Sequence, residues 1–219
     1  MAGNTARRMP KEIAGIRIPD TRLAVEVMEL VREVSPPALF NHVVRTYIFG
    51  AQVGRNLGMR YDSELVYVAA LMHDLGLTPA YMGPGRFEVD GADAAARFLS
   101  EHGVAADKVA LVWDAIALHS SNGIAERKQP EVALVHFGAA VDVVGSLLDH
   151  IPVEVVQQTL ATYPRLGFKK AFLEAIAEVL RQKPATGFLN FMEGIGKRYV
   201  PGFQPPDVCE IIMAAPYSE

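Results

Sequence analysis

The sequence has a single cysteine, no long apolar run and no surplus of basic residues, and each absence excludes a class of protein. Cys209 alone cannot form an intrachain disulfide, and no signal-peptide pattern opens the chain, so we expect a cytoplasmic protein. Acidic residues such as Asp114 interrupt every candidate for a membrane span of roughly 18 residues, so we expect no membrane partner. The formal net charge of -4 and the interspersed charges argue against a nucleic-acid partner.

Apolar residues at helical spacing are what the chain has in abundance. Of its 219 residues, 50% are hydrophobic, and the mean hydropathy is +0.16, which allows one domain with a sizeable core. Helical periodicity runs almost throughout, with no alternation long enough for a confident strand. We therefore predict an all-α fold, with a domain at residues 19–200, an N-terminal arm at 1–18 and an extended C-terminal tail at 201–219.

The helix boundaries are predicted from caps and breakers. The first helix begins after the cap Pro19-Asp20-Thr21 and ends near residue 34, where Ser35-Pro36-Pro37 removes amide donors. A loop rich in glycine and proline is predicted at residues 78–89. Further helices are predicted at about residues 39–57, 62–74, 91–102, 105–119, 131–149, 153–162, 168–182 and 187–199.

Four polar residues lie inside apolar, helix-like segments: His42, the pair His73-Asp74, and Asp142. Burying such a group costs roughly 2–7 kcal/mol unless it is hydrogen-bonded or bound to a metal. Two neutral imidazoles and two carboxylates make a complete site for a divalent metal, with positions left for water and substrate. We predict all four as metal ligands; the alternative is four core polar residues that satisfy one another.

The ligand set resembles the signature of the HD superfamily of metal-dependent hydrolases, which is a His, then a His-Asp pair, then a distant Asp. This resemblance implies a single helical HD domain with the metal site between its helices. Several segments are similar to the cyanamide hydratase-like branch of the superfamily. They are Asn41-His42, Leu71-Met72-His73-Asp74-Leu75-Gly76, Arg86-Phe87-Glu88-Val89-Asp90-Gly91, Ala117-Leu118-His119-Ser120, Gly138-Ala139-Ala140-Val141-Asp142 and Tyr163-Pro164-Arg165-Leu166-Gly167.

The narrower resemblance implies a hydratase that adds water to a small polarised carbon, with cyanamide as substrate and urea as product. A divalent ion supports this chemistry because it lowers the pKa of bound water from about 15.7 to about 7. Mixed nitrogen and oxygen ligands suit Zn, Fe, Mn, Co or Ni, and the resemblance favours Zn. One metal is expected instead of two, because Phe87-Glu88 and Ser120 stand where two-metal HD proteins carry further histidines.

Four residues are candidates for catalysis. Asp74 can accept a proton from water through the oxygen that does not bind the metal. His119 contacts substrate or, alternatively, interacts with the end of its helix. Thr78 faces substrate or serves only in a turn, while Arg45 binds an anion or pairs with a helix carboxylate. Outside this set, Glu88 enters the site or caps a helix, and we interpret His136 as structural.

Two other functions stay open at the level of sequence. The first is a metal-dependent phosphohydrolase acting on a phosphomonoester or nucleotide, for which Arg45, Arg86 and Lys128 would supply positive charge. The second is a non-catalytic ligand sensor, which the four intact ligands disfavour. In every case we expect a small-molecule ligand, and the arm or the tail offers a surface for a possible homo-oligomer.

Overall fold

The computed structural model describes residues 10–217, and this part of the chain contains ten α-helices and one two-stranded hairpin. The prediction of an all-α fold is confirmed. The helices are Arg22–Val34 (α1), Pro37–Asn56 (α2), Ser63–Met72 (α3), Phe87–Glu101 (α4), Ala106–Ala117 (α5), Pro130–Val144 (α6), Val153–Thr162 (α7), Phe168–Gln182 (α8), Met192–Tyr199 (α9) and Val208–Met213 (α10). Short 3-10 turns lie at Leu75–Leu77, Ala125–Arg127, Leu148–His150 and Pro184–Gly187.

Local chemistry explains where most helices begin and end. The Thr21 side chain accepts a hydrogen bond from the amide of Ala24 and caps α1, and Asp62 caps α3 in the same way. Three boundaries differ from prediction by four residues or more: the starts of α4 and α9 and the end of α6. Helix α9 begins at Met192 and not at residue 187, because Pro184–Gly187 forms a separate 3-10 turn. Helix α4 begins at Phe87, inside the predicted loop, and α6 ends at Val144 because Gly145 adopts a left-handed φ of 78°.

Two glycines let α2 and α6 approach closely, and this pair forms the most extensive helix contact in the described part of the chain. A Cβ added at Gly138 would lie 2.0 Å from the carbonyl oxygen of Thr46, and one added at Gly50 would lie 2.4 Å from that of Leu134. Such distances exclude any larger side chain. The approach brings His42 on α2 beside Asp142 on α6, so backbone contact positions the site.

The core has two parts. Helices α1 to α6 enclose the larger part, which includes fully buried Val44, Leu71 and Leu134. A smaller cluster, in which Ile176 and Leu180 of α8 take part, joins α8 and α9 to the start of α2 and α4. The site described below lies where the two parts meet.

The predicted arm and tail take more definite structures than predicted. Glu12–Ile13 and Ile16–Arg17 pair as an antiparallel hairpin, while residues 1–9 of the predicted arm lie outside the described residues. The predicted tail carries the exposed helix α10, and its residues 218–219 are also outside the description. The division into arm, domain and tail stays a prediction. Among residues 10–217, no helix is both long and apolar enough to cross a membrane.

Candidate metal centre

Three helices and the turns that follow them bring polar residues to one buried point. Helix α2 contributes His42, the end of α3 contributes His73 and the adjoining Asp74, and His119 follows the end of α5 by two positions. All four side chains are buried. Three of them, His42, His73 and Asp74, present ligand atoms that lie within 4.8 Å of one another.

The hydrogen bonds of the three imidazoles aim unprotonated nitrogens at one carboxylate. His73 donates from Nδ1 to the carbonyl of Ala70, and His119 donates to that of Ile116, each at 2.7 Å. A neutral imidazole that donates from Nδ1 carries its lone pair on Nε2. The Nε2 atoms of His42 and His73 each lie 3.4 Å from Asp74 Oδ2, and that of His119 lies 3.9 Å from Oδ1.

This arrangement fits a cation and is unfavourable without one. Within residues 10–217, His42 Nε2 and both carboxylate oxygens of Asp74 are buried without a hydrogen-bond partner. A buried polar group left unsatisfied costs about 1–3 kcal/mol. A divalent ion placed between these nitrogen lone pairs and the carboxylate would bind both, because imidazole nitrogen and carboxylate oxygen are suitable ligands for such an ion.

Burial also shifts the pKa values of His73, His119 and Asp74 in the direction that favours the neutral form of each side chain. Desolvation lowers the pKa of His73 to about 3, and it lowers that of His119 to about 4 with the help of neighbouring His73. Both rings are therefore neutral at physiological pH, which is the form that binds metals. Desolvation raises the pKa of Asp74, since His42 and His119 offset only part of the effect of burial and the Glu88 carboxylate adds to it.

Asp142 lies behind His42 instead of joining the three clustered ligands. Its Oδ2 accepts a hydrogen bond of 2.7 Å from His42 Nδ1, and Arg45 binds both carboxylate oxygens at 2.7 and 2.8 Å. Arg165 donates to Oδ1 at 3.0 Å. Burial alone would raise the pKa of Asp142, but the hydrogen bonds from His42 and Arg45 outweigh it and hold that pKa below its ordinary range. Direct ligation by Asp142 stays a prediction.

The other predicted catalytic residues take different places. Arg45 is fully buried and uses its remaining nitrogen on the carbonyl of Tyr163 at 3.1 Å, so it acts on Asp142 as the carboxylate-pairing alternative predicts. The Thr78 hydroxyl donates to the carbonyl of Leu75 at 2.7 Å, as the turn alternative predicts. His119 is brought to the cluster. For each of these residues, a catalytic role stays a prediction.

Glu88 is a site residue that the sequence analysis left undecided. It is fully buried, accepts hydrogen bonds of 2.7 Å from Arg86 and Ser120, and interacts electrostatically with His119. Burial raises its pKa, but the hydrogen bonds from Arg86 and Ser120 and the nearby His119 together outweigh burial and lower it. The sequence analysis placed Glu88 in the predicted loop before a helix at residue 91, and that position does not show whether the side chain points inward.

His136 supports the backbone of the site and also lines it. Its Nδ1 donates to the carbonyl of His119 at 2.7 Å, and its Nε2 lies 3.2 Å from Glu126 Oε1. The first contact agrees with the structural interpretation. The sequence analysis did not predict the position of His136 beside the cavity. The helical angle between His136 and Asp142 shows only that they lie on different faces of the helix, and it does not show which face borders a cavity.

A cavity of about 470 Å³ opens directly above the clustered ligands. Its floor is formed by His42, His73, Asp74 and His119. The remaining lining comes chiefly from apolar side chains of α6, α8 and α9, with Ser120, Asn122 and Lys169 among the polar exceptions. A reacting group can thus reach the cluster through this cavity.

A comparison with known protein families bears on the identity of this site. The family model of the HD domain matches residues 39–144, a segment that contains all four predicted metal ligands. The match supports the HD-domain superfamily that the motifs resemble, and with it a metal-dependent hydrolase type of site. A comparison with curated proteins gave no match.

Proposed function

We propose that this chain, with its HD domain at residues 39–144, is a metal-dependent hydratase that adds water to a small nitrile-like substrate such as cyanamide. One observation carries the proposal: the unprotonated nitrogens of three buried imidazoles face Asp74, whose two oxygens have no hydrogen-bond partner within residues 10–217. A single divalent ion would satisfy this cluster. The narrower choice of a hydratase rests on the sequence motifs that resemble the cyanamide hydratase-like branch.

His42, His73 and Asp74 would hold the ion. When bound, it supplies a Lewis acid that lowers the pKa of water to about 7. Zinc is our choice among Zn, Fe, Mn, Co and Ni, all of which accept nitrogen and oxygen ligands. In this proposal Asp142 and Arg45 orient His42 through its Nδ1, in the way that outer carboxylates orient metal-binding histidines.

The chain's own groups can carry the proton that hydration moves. Adding water to a nitrile forms a C–O bond, breaks one C–N π bond and transfers a proton to nitrogen, and a second proton shift then gives the amide. Asp74 Oδ1, which faces His119, accepts the proton from water and returns it to the substrate nitrogen. Cyanamide gives urea by this route, with no leaving group.

The phosphohydrolase alternative is less well supported by the arrangement of charges. Of the cations predicted to serve it, Arg45 pairs with Asp142, Arg86 with Glu88 and Lys128 with Asp114. None of the three lines the cavity as it is formed by residues 10–217. A phosphate ester would have to rely on the bound metal and on exposed Lys169 at the cavity edge.

The proposal includes a cytoplasmic location and a small-molecule partner, with neither nucleic acid nor membrane as a ligand. The single cysteine, which is exposed and unpaired, and the net charge of -4 support it. Self-association through the hairpin or the tail is also part of the proposal.

Urea formation from cyanamide by the zinc-loaded protein is the decisive experiment. We expect turnover by the wild type, none by Asp74→Ala, and unchanged turnover by Asp149→Ala, a matched loss of an exposed carboxylate. Circular dichroism and zinc content must be recorded for each variant, since metal binding is coupled to folding. Failure of the folded, zinc-loaded wild type to hydrate any nitrile, with hydrolysis of phosphomonoesters instead, would overturn the hydratase.

A further inference from the structure

The cavity is far larger than cyanamide needs. Its volume of about 470 Å³ falls within the range of roughly 300–1,000 Å³ that encloses drug-sized ligands. At roughly 30 Å³ per water, it would accommodate about fifteen water-sized groups. A molecule with only a few non-hydrogen atoms would leave most of the cavity filled with water. That water would lie against apolar side chains, with which it interacts unfavourably.

The cavity has a polar floor and an apolar wall. Helix α6 contributes Ala139, Ala140 and Val143 to this wall. Helix α8 contributes Phe168 and Phe172, whose ring centroids lie 5.3 Å apart. The two helices thus supply apolar surfaces that face the same cavity.

The apolar wall begins at the ligand cluster itself. The ring of Phe168 stacks on that of His42, with centroids 4.4 Å apart and planes at 24°. Arg165 lies over the same phenyl ring but is bound to Asp142. A group attached to the reacting carbon therefore meets hydrocarbon first.

The apolar surface continues to the outside of the molecule. Val144 and Phe191 line the cavity yet are 72% and 42% exposed. Exposed apolar side chains that adjoin a cavity mark binding surfaces more often than scattered ones do. Together with Ile195 of α9 they give an apolar entrance to a polar floor.

We infer that the substrate is a nitrile with an apolar aliphatic or aryl body, whose nitrile group meets the ligand cluster while the body lies between α6 and α8. The inference rests on the proposed function and narrows its substrate class. It makes Ala140, Val143 and Phe172 residues that determine specificity.

The test is binding of product-like carboxamides to the zinc-loaded full chain by calorimetry, from propanamide to heptanamide. Each added methylene is expected to tighten binding about threefold to fourfold, so the two ends of the series differ on the order of 100-fold. Turnover of the corresponding nitriles is measured in parallel. Equal affinity along the series would overturn the inference.

Ala140→Phe places a ring in the proposed body site and should reduce the heptanamide-to-propanamide affinity ratio by about tenfold or more. Ala171→Phe adds the same ring at an exposed position of α8 and should leave the ratio unchanged. If Ala140→Phe does not fold, Val143→Phe on the same wall replaces it. A ratio that both wall variants preserve would contradict the inference.

The two proposals fail separately. Hydration of cyanamide with a flat carboxamide series keeps the hydratase and overturns the apolar-bodied substrate. A steep series that Ala140→Phe flattens, without turnover of any nitrile, supports the body site and overturns hydration as the reaction.

Discussion

His42 and Asp142 are joined through the back of the imidazole: Nδ1 of His42 donates to Oδ2 of Asp142 at 2.7 Å. The bond leaves the His42 Nε2 lone pair directed at Asp74. Asp142 itself is held by Arg45 and Arg165, so a chain of charged groups leads from the surface to the cluster. The orientation of a metal-binding nitrogen is thereby set from outside the ligand cluster.

Asp142→Asn tests which role Asp142 plays. If it orients His42, zinc affinity should fall about 10–100-fold, the usual effect of losing an outer partner. Competition with a chelator measures this, with Asp74→Ala as the variant that loses a clustered ligand. A loss in Asp142→Asn as large as that in Asp74→Ala would indicate direct ligation, as the sequence predicts.

Arg45 and Arg165 bind the same carboxylate but differ in burial. Arg45 is fully buried, and replacing it with methionine leaves Asp142 short of its main partner, which should lower the free energy of unfolding by about 3–5 kcal/mol. The Arg165 side chain is 32% exposed, so Arg165→Met should cost less. Urea denaturation of both variants gives the comparison; equal losses would contradict a structural role specific to Arg45.

Asp74→Asn should stabilise the metal-free protein while weakening its response to zinc. Burial raises the pKa of Asp74 above its ordinary value of 3.8, so the folded state holds the proton more tightly than the unfolded state does. Asp74 therefore lowers the stability of the wild type as the pH rises above 3.8, a contribution that the variant, which has no carboxyl group at this position, lacks. The expected advantage of the variant at neutral pH is about 1–3 kcal/mol.

Thermal melts of the metal-free wild type and metal-free Asp74→Asn, from below pH 3.8 to neutral pH, test the sign of this stability difference. His73 and His119 are present in both proteins, but the Asp74 charge also raises the pKa of His119, so the comparison reports the carboxylate together with its effect on that imidazole. Zinc should then raise the melting temperature of the wild type more than that of Asp74→Asn. A wild type that is the more stable of the two without metal at neutral pH would disprove this account.

Gly138→Ala should destabilise the fold by about 1–3 kcal/mol or more, because its Cβ would meet the Thr46 carbonyl at 2.0 Å. Gly194 of α9 has no atom within 4 Å of its Cβ position, so Gly194→Ala should instead gain about 0.5–1 kcal/mol of helix stability. Chemical denaturation of both variants measures the contrast. Equal tolerance at the two positions would mean that α2 and α6 do not touch.

Much of the fold could be predicted because helix signals are local. Caps such as Thr21 and Asp62, and apolar periodicity, act within a few residues, and the bounds of α7 and α8 agree with prediction for that reason. The start of α4 at Phe87 was missed, since packing of buried Phe87 and Glu88 outweighs the turn-forming residues that precede them.

The sequence by itself determined the helical class and the burial of the four polar residues predicted as metal ligands, because both follow from spacing along one chain. Tertiary structure alone decided which of those residues meet. Contact between α2 and α6 through Gly50 and Gly138 places Asp142 behind His42, and the ends of α3 and α5 bring His119 to Asp74. These relations depend on the distance between helices far apart in sequence, and no local pattern encodes that distance.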